Sequence, residues 1–406
     1  MRTRETDKTE RGRGEVEDSS YDQICYFVST QKLKDAKRVV VKVGTAVVAN
    51  SDGTMSLSRM GALVEKLREL KLQGREVLLV SSGAMGLGRQ SLGLSKEVVE
   101  GNPDNIIDRQ ACAAAGQELL MSMYHMMFSR LDVRCAQVLI TQEDFVSRQR
   151  YMHLTDTLDK LTSLGTIPII NENDVVTGGA RGEQVFSDND KLSAILAAGA
   201  DADGLALLTD VEAVFTKPPG EPGAERIKIY KEADTVEIGA KSGMGRGGMA
   251  AKITAARVAA RGGVATCIAS GYDLENITKV FGGLDVGTYF EPDTRPNKRQ
   301  RWLTLATECV GKLIVGAKFR EALEVPDKRG TDPTLYVSDL IGVSGSFPVR
   351  SVISLIDEDG HEFARGITQK KSAEIKDALP TSAGKQHSTF TTVHVVIQPS
   401  DILLLG

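Results

Sequence analysis

Two lysines and a run of three polar residues stand where this sequence can do chemistry. Lys42 breaks RVVVKV (38–43), an otherwise continuous apolar run, and Gly44-Thr45 follows it. An ammonium group in the last turn of a buried strand is expensive unless it points out of the sheet's end toward an anion. The alternative is a lysine whose head snorkels to water. Lys252 lies just past KSGMGRGG (241–248) and opens an alanine-rich helical stretch. Glycine lets backbone N–H groups approach an anion closely, and a helix N-terminus favours negative charge there. The same segment also reads as a flexible loop ending in a solvated lysine. It is not a Walker A loop, because GxxxxGK[ST] occurs nowhere in the chain.

The polar run is Asp188-Asn189-Asp190, set ahead of the apolar Ile195-Leu196-Ala197-Ala198. One carboxylate suffices to cap a helix, so three polar side chains in succession ask for something more. NEND (171–174) offers two amides and two carboxylates at a strand end, with Asx-turn chemistry as the plainer reading. Ser82-Gly83 ends another strand, where an ordinary strand-to-helix turn is the plainer reading. No catalytic triad is arguable: His125 and His153 lack a partnering pattern, and His153 reads as a surface helix residue. Together these parts describe phosphoryl transfer. The lysines meet phosphate charge, glycine loops meet the oxygens, and carboxylates hold magnesium or orient the lysines. The NEND and DND segments remain to grip a small polar acceptor.

Such residues need a scaffold, and the apolar pattern supplies one. RVVVKV reads as a strand buried on both faces. A helix follows, with Met60, Leu63, Val64, Leu67 and Leu70 at helical spacing behind a Ser58 cap and before Gly74. Next come a strand at 75–84, a helix at 108–130, a strand at 133–140 and a helix at 147–164. A strand at 166–171, a helix at 190–199 and a strand at 204–210 complete the series. This alternation predicts an α/β fold with a mostly parallel sheet and helices on both faces. Ligands in such sheets bind outside the carboxyl ends of the strands, where the polar segments lie.

Beyond Gly287 the character changes. EPDTRPNKRQRW (291–302) suits a linker, and KLIVG, LYVSDLIGVSG, VRSVISLIDEDG, HEFARGIT and VHVVIQ suit a small β-rich domain interrupted at TSAGKQHST (381–389). Asp359-Gly360 is a hairpin signal. At 406 residues the chain is too long for one typical core. The partition reads as a disordered extension over 1–35, a catalytic domain over 36–290, a linker over 291–302 and the β-rich domain over 303–406. The first twenty residues carry five basic and six acidic side chains and almost nothing apolar, so they cannot offset their ordering entropy. They are too acidic for a transit peptide and lack a secretory apolar core.

A net charge of −4 gives no global reason to expect a nucleic-acid or membrane partner. Five dispersed cysteines and five dispersed histidines argue against a zinc site or a disulfide framework and suit a reducing compartment. No apolar run is long enough to span a bilayer. The sequon at Asn276 is then expected to go unglycosylated. Residues 298–406 hold fourteen cationic and thirteen anionic side chains, which is no footprint for RNA.

VVVKVGT, LLVSSGA, IPIINEND, SDNDKLSA, LLTD and GRGGMAAK, in this order, resemble the glutamate 5-kinase branch of the amino-acid kinase superfamily over 38–290. The segment GKLIVG…GVSGSF…VISLIDEDGHEFARGI resembles the PUA domain appended to many members. The resemblance implies an αβα sandwich and ATP-dependent, magnesium-dependent phosphorylation of the L-glutamate side-chain carboxylate, the first step of proline synthesis. Lys42 and Lys252 would neutralise the transferred phosphoryl group, and Asp190 would hold them in place. Ser82, Asp174 and Asn189 would bind glutamate, with Gly83, Asn171 and Asp188 close by. Gly44, Thr209, Asp210 and the segment Arg246, Gly247, Gly248, Met249 to Lys252 would line the ATP pocket. No residue is assigned to a metal. A cytoplasmic homo-oligomer, dimer or tetramer, is implied, with a glutamyl-phosphate reductase open as a partner. Lys252→Ala is expected to abolish most turnover with little loss of folding. The alternatives are superfamily kinases of aspartate, N-acetylglutamate, carbamate or a nucleotide and, in another class, an RNA-binding or regulatory protein.

Overall fold

The computed structural model describes residues 30–50, 54–100, 106–177, 188–237, 248–293, 303, 309–325, 333–379 and 395–404. Two compact units divide the chain: residues 1–144 with 152–295, and residues 145–151 with 296–406.

The first unit is built on seven strands: β1 (Arg38–Val43), β2 (Glu76–Ser81), β3 (Arg134–Ile140), β4 (Thr166–Glu172), β5 (Gly204–Thr209), β6 (Ala265–Ser270) and β7 (Thr288–Phe290). They lie in the order β3-β4-β2-β1-β5-β6-β7, and only β7 runs antiparallel, against β6. Its helices are α1 (Thr45–Val48), α2 (Leu57–Leu72), α3 (Ala84–Ser91), α4 (Lys96–Glu100), α5 (Ile106–Arg130), α6 (Glu143–Val146), α7 (Arg148–Ser163), α8 (Asn189–Gly199), α9 (Met249–Arg261) and α10 (Glu275–Phe281), of which α6 and α7 also run into the second unit.

Alternation along β1 sorts its side chains. Val39, Val41 and Val43 enter one core with Leu63 and Leu67 of α2, Leu120 and Phe128 of α5, and Ile277 of α10. Val40 and Lys42 take the opposite face, against which α8 packs, with α9 beside it. Each fully buried Val or Leu contributes about 1.5–3 kcal/mol relative to exposure, which sets the register of the central strands. Lys42 is therefore delivered to the α8 face by the valines on either side of it.

Several elements depart from the sequence reading. The cap of α2 is Ser56, whose Oγ accepts from the Arg59 amide at 3.4 Å, and Ser58 lies inside the helix. Strand β2 stops at Ser81, and α3 begins three residues later. Strands β6 and β7 were not anticipated. Thr266 interrupts the apolar run of β6 yet is buried, and β7 has only three residues. Residues 30–34, counted above with the extension, form a helical turn with Leu33 buried, and Thr30 Oγ1 donates to the Gly283 carbonyl. Residues 1–29 of that extension, most of the proposed linker and residues 381–389 lie outside the described residues.

The second unit holds β8 (Gly311–Val315), α11 (Ala317–Glu324), β9 (Leu335–Tyr336), β10 (Leu340–Gly345), β11 (Val352–Ile356), β12 (Glu362–Ile367), α12 (Ser372–Ala378), β13 (Val395–Ile397) and β14 (Ile402–Leu404). A five-stranded sheet, β10-β8-β11-β12-β14, accompanies the pair β13-β9. Leu313, Phe319, Ile353, Leu355 and Phe363 share its core. The Asp359-Gly360 turn joins β11 to β12 as expected: Gly360 has φ +87°, and the Asp357 amide donates to the His361 carbonyl. No described helix is long and apolar enough to cross a membrane.

Candidate active site

The polar segments converge because their strands are neighbours. In the order β4-β2-β1-β5, parallel pairing aligns Val43 with both Ser81 and Leu208. The chain after each strand then emerges at one end of the sheet. Gly44 begins α1 there, and the Ser82 amide donates to the Val43 carbonyl at 3.2 Å. Gly83, at φ +114°, turns the chain from β2 into α3 in a conformation that disfavours any side chain.

Helix α8 starts over this end. Asp188 is its N-cap: Oδ1 accepts from the amides of Asp190 and Lys191, both at 3.0 Å. The cap fixes the next two side chains. Asp190 points onto the β1 face, where Oδ1 lies 2.6 Å from Lys42 Nζ and Oδ2 lies 2.8 Å from Lys252 Nζ. Lys42 and Asp190 are buried and Lys252 is partly so, their side chains being 5, 2 and 12% exposed. One carboxylate thus holds two ammonium groups, leaving the trio with a net positive charge. Burial alone would push the Asp190 carboxyl up; the charges of Lys42 and Lys252 and their hydrogen bonds outweigh it and hold it below its ordinary value. The alternative of Lys252 as a solvated lysine ending a flexible loop does not fit its head, which pairs with the buried Asp190.

Asn189 points the other way. Its Nδ2 donates to Ser82 Oγ at 2.8 Å and to Asn171 Oδ1 at 2.9 Å, with the Ser81 carbonyl farther off at 3.4 Å. Asn171, buried at the end of β4, donates through Nδ2 to Gln117 Oε1 at 3.0 Å. Ser81 Oγ shares a hydrogen bond of 2.8 Å with the Tyr124 hydroxyl, and burial pushes that phenol's pKa up.

Of the residues expected at the site, Lys42, Asp190 and Lys252 form one contact set, and Ser82, Asn171 and Asn189 a second, adjoining through Asn189-Asp190. Asp188 caps beneath both. Asp174 lies half-buried in the turn beyond β4. Thr209 closes β5, and its hydroxyl donates to Asp210 at 2.9 Å. Gly248 is the N-cap of α9 and Met249 its first residue, so the helix presents backbone N–H groups without a side-chain cap. Arg246 and Gly247 lie outside the described residues. Gln117 and Tyr124 were not anticipated. A signal existed: they are polar groups seven residues apart on the buried stripe of α5, among Cys112, Ala113, Gly116, Leu120 and Phe128.

An ammonium pair on one carboxylate suits a polyanion. The amide and hydroxyl cluster beside it suits a small polar molecule carrying carboxylate and amine. Residues 37–270 match the amino acid kinase family. The chain is 39% identical over 370 residues to a glutamate 5-kinase of Cyanothece sp., covering 88% of this chain and 97% of that protein. It is 37% identical to the glutamate 5-kinase of Bifidobacterium adolescentis, covering 86% and 89%. Over 274 residues it is 45% identical to delta-1-pyrroline-5-carboxylate synthase A of Arabidopsis thaliana, covering 64% of this chain and 38% of that longer protein.

Proposed function

The chain belongs to the amino acid kinase family and, within it, to the glutamate 5-kinases; from that premise we propose how its residues transfer phosphate from ATP to the side-chain carboxylate of L-glutamate, opening proline biosynthesis. The observation that carries the reading is the Lys42–Asp190–Lys252 set beside the Asn189 cluster, at the carboxyl end of a parallel sheet.

Lys42 and Lys252 meet the oxygens of the transferred phosphoryl group from a water-poor position, where charge stabilisation is worth most. Asp190 keeps the two like charges side by side before the nucleotide arrives. The N-terminus of α9, from Gly248 to Lys252, adds backbone N–H groups toward the phosphates. Gly44, the N-cap of α1, adjoins Lys42: a Cβ there would stand in ordinary contact with its Nζ at 3.5 Å. Thr209 and Asp210 line the nucleotide side together with Met249.

On the acceptor side, Ser82 Oγ already accepts from Asn189, so its own proton is left to donate to a carboxylate. Asn189 has committed both amide hydrogens, so its carbonyl is left to accept from an amine. Asp174, with Gly83 and Asp188 nearby, completes the grip. The acceptor carboxylate is ionised at neutral pH and needs no general base. Its oxygen attacks the terminal phosphorus of ATP, the bond from that phosphorus to the bridging oxygen breaks, and γ-glutamyl phosphate and ADP leave.

The donor set fits the nucleotide better than a free metal ion, because both Asp190 oxygens are engaged by ammonium groups. Magnesium, when bound with the nucleotide, would add positive charge to offset that of the phosphates. The same reading includes a cytoplasmic homo-oligomer, a reductase that consumes the acyl phosphate, and a PUA-like β-rich domain beyond residue 302 whose near-balanced charge gives RNA no footprint.

An assay of ADP release with ATP, magnesium and an acceptor panel tests this. L-Glutamate is expected to turn over, and aspartate, N-acetylglutamate, carbamate and nucleotides are not. Lys252→Met is expected to lower kcat by about 10²-fold or more. Absence of glutamate-dependent ADP release from folded wild-type protein would refute the assignment.

A further inference from the structure

Helix α5 passes behind the acceptor cluster without joining it and touches it at three levels. Gln117 is nine-tenths buried, and its Oε1 accepts from Asn171 at 3.0 Å. Tyr124, two turns on, is fully buried with its hydroxyl on Ser81. Gly116 lies so close to α3 that a Cβ there would stand 1.7 Å from the Ala84 carbonyl, one residue past Gly83. The three contacts fall on the segments that supply Asn171, Ser82 and Gly83.

The hydrogen bonds also have a direction. An asparagine amide can rotate by half a turn at little steric cost, exchanging its oxygen and nitrogen. If Asn171 did so, its NH₂ would face the NH₂ of Asn189, donor against donor. With Gln117 presenting its Oε1 as observed, only the nitrogen side of Asn171 can bond it, which opposes that rotation. With Asn171 fixed, Asn189 must donate to both Asn171 and Ser82, which leaves the Ser82 proton and the Asn189 carbonyl for a ligand.

Resting on the glutamate-kinase reading, we propose that Gln117 is a positioning residue of the acceptor subsite, acting through Asn171 to set the polarity of the Asn189–Ser82 pair. Among the described residues its Oε1 is engaged and its Nε2 has no hydrogen-bond partner. A glutamine chosen for packing alone would bury a donor at a cost of about 1–3 kcal/mol with nothing returned.

Steady-state kinetics on Gln117→Met, a replacement of similar volume without the acceptor oxygen, test the proposal. The KM for L-glutamate is expected to rise about three- to tenfold, the range for one lost neutral hydrogen bond. The KM for ATP is expected to stay within about twofold, because the nucleotide lysines are untouched. In an Asn171→Ala background the same change is expected to shift the glutamate KM by less than about twofold, since the chain is already cut. An unchanged glutamate KM, a parallel rise in both KM values, or a full effect surviving in the Asn171→Ala background each overturns it. A wild-type measurement stands beside these should Gln117→Met not fold. Slow solvent exchange of the Asn171 side-chain NH₂ supports the bond to Gln117, and exchange at the rate of an exposed amide refutes it. If wild-type protein fails to phosphorylate L-glutamate, the functional reading falls and takes this proposal with it. If wild type is active and Gln117→Met behaves identically, only this proposal falls.

Discussion

At Asp190 one carboxylate meets two ammonium groups, so its replacement is felt as charge, as folding energy and as catalysis together. Asp190→Asn leaves Lys42 and Lys252 buried beside each other without a counterion. Breaking a buried pair in this way costs about 3–5 kcal/mol, so a clear fall in denaturation midpoint and loss of most turnover are expected. The folded-state pKa of Asp190 lies below the carboxyl's ordinary 3.8. Its contribution to stability is therefore complete above about pH 4 and is lost as pH falls below that value. Urea titrations across the acid range are expected to show a wild-type decline that is shallower in Asp190→Asn. Equal slopes in the two proteins would mean that this carboxylate is not held down by its lysines. The family resemblance already implied that Asp190 holds both lysines; spacing alone could not, since 210 positions separate Lys42 from Lys252.

At the scale of elements, the close crossing of α3 and α5 sets the back of the acceptor cluster. A Cβ on Gly116 would meet the Ala84 carbonyl, and one on Gly88 would meet the Cys112 carbonyl, each at 1.7 Å. Both clashes are with backbone, so the helices must separate to admit a methyl group. Gly116→Ala is expected to destabilise by about 1–3 kcal/mol or more, and to raise the glutamate KM while sparing that for ATP. Thermal unfolding and kinetics of the same preparation check both parts, and unchanged stability would show the crossing to be loose. The strands were largely legible, because β1, β2, β4 and β5 are apolar runs bounded by polar segments. Strand β6 was not, because Thr266 breaks a short run of mostly small residues while the fold buries it. The cap of α2 was placed two residues late, since Ser56 and Ser58 differ only in where the chain turns.

For the whole molecule, Lys42, Ser82, Asn171, Asn189, Asp190 and Lys252 all lie in the unit formed by residues 1–144 and 152–295. That unit carries its own sheet and core, so a chain ending at residue 295 is expected to retain measurable phosphorylation of L-glutamate. Complete loss of turnover in a truncated chain that still unfolds cooperatively would show that the second unit takes part in the site. Taken alone, the sequence determined the alternation of strands and helices, the class of chemistry, and the local groups that carry it. These follow from period, burial preference and charge, which act between near neighbours. Only the tertiary structure decided that each lysine takes its own oxygen of Asp190 and that Asn189 turns to Ser82 and Asn171. It also recruited Gln117 and Tyr124 from a helix with no motif of its own. Pairing of that kind depends on strand order and helix crossing, and neither is encoded in the spacing of residues along the chain.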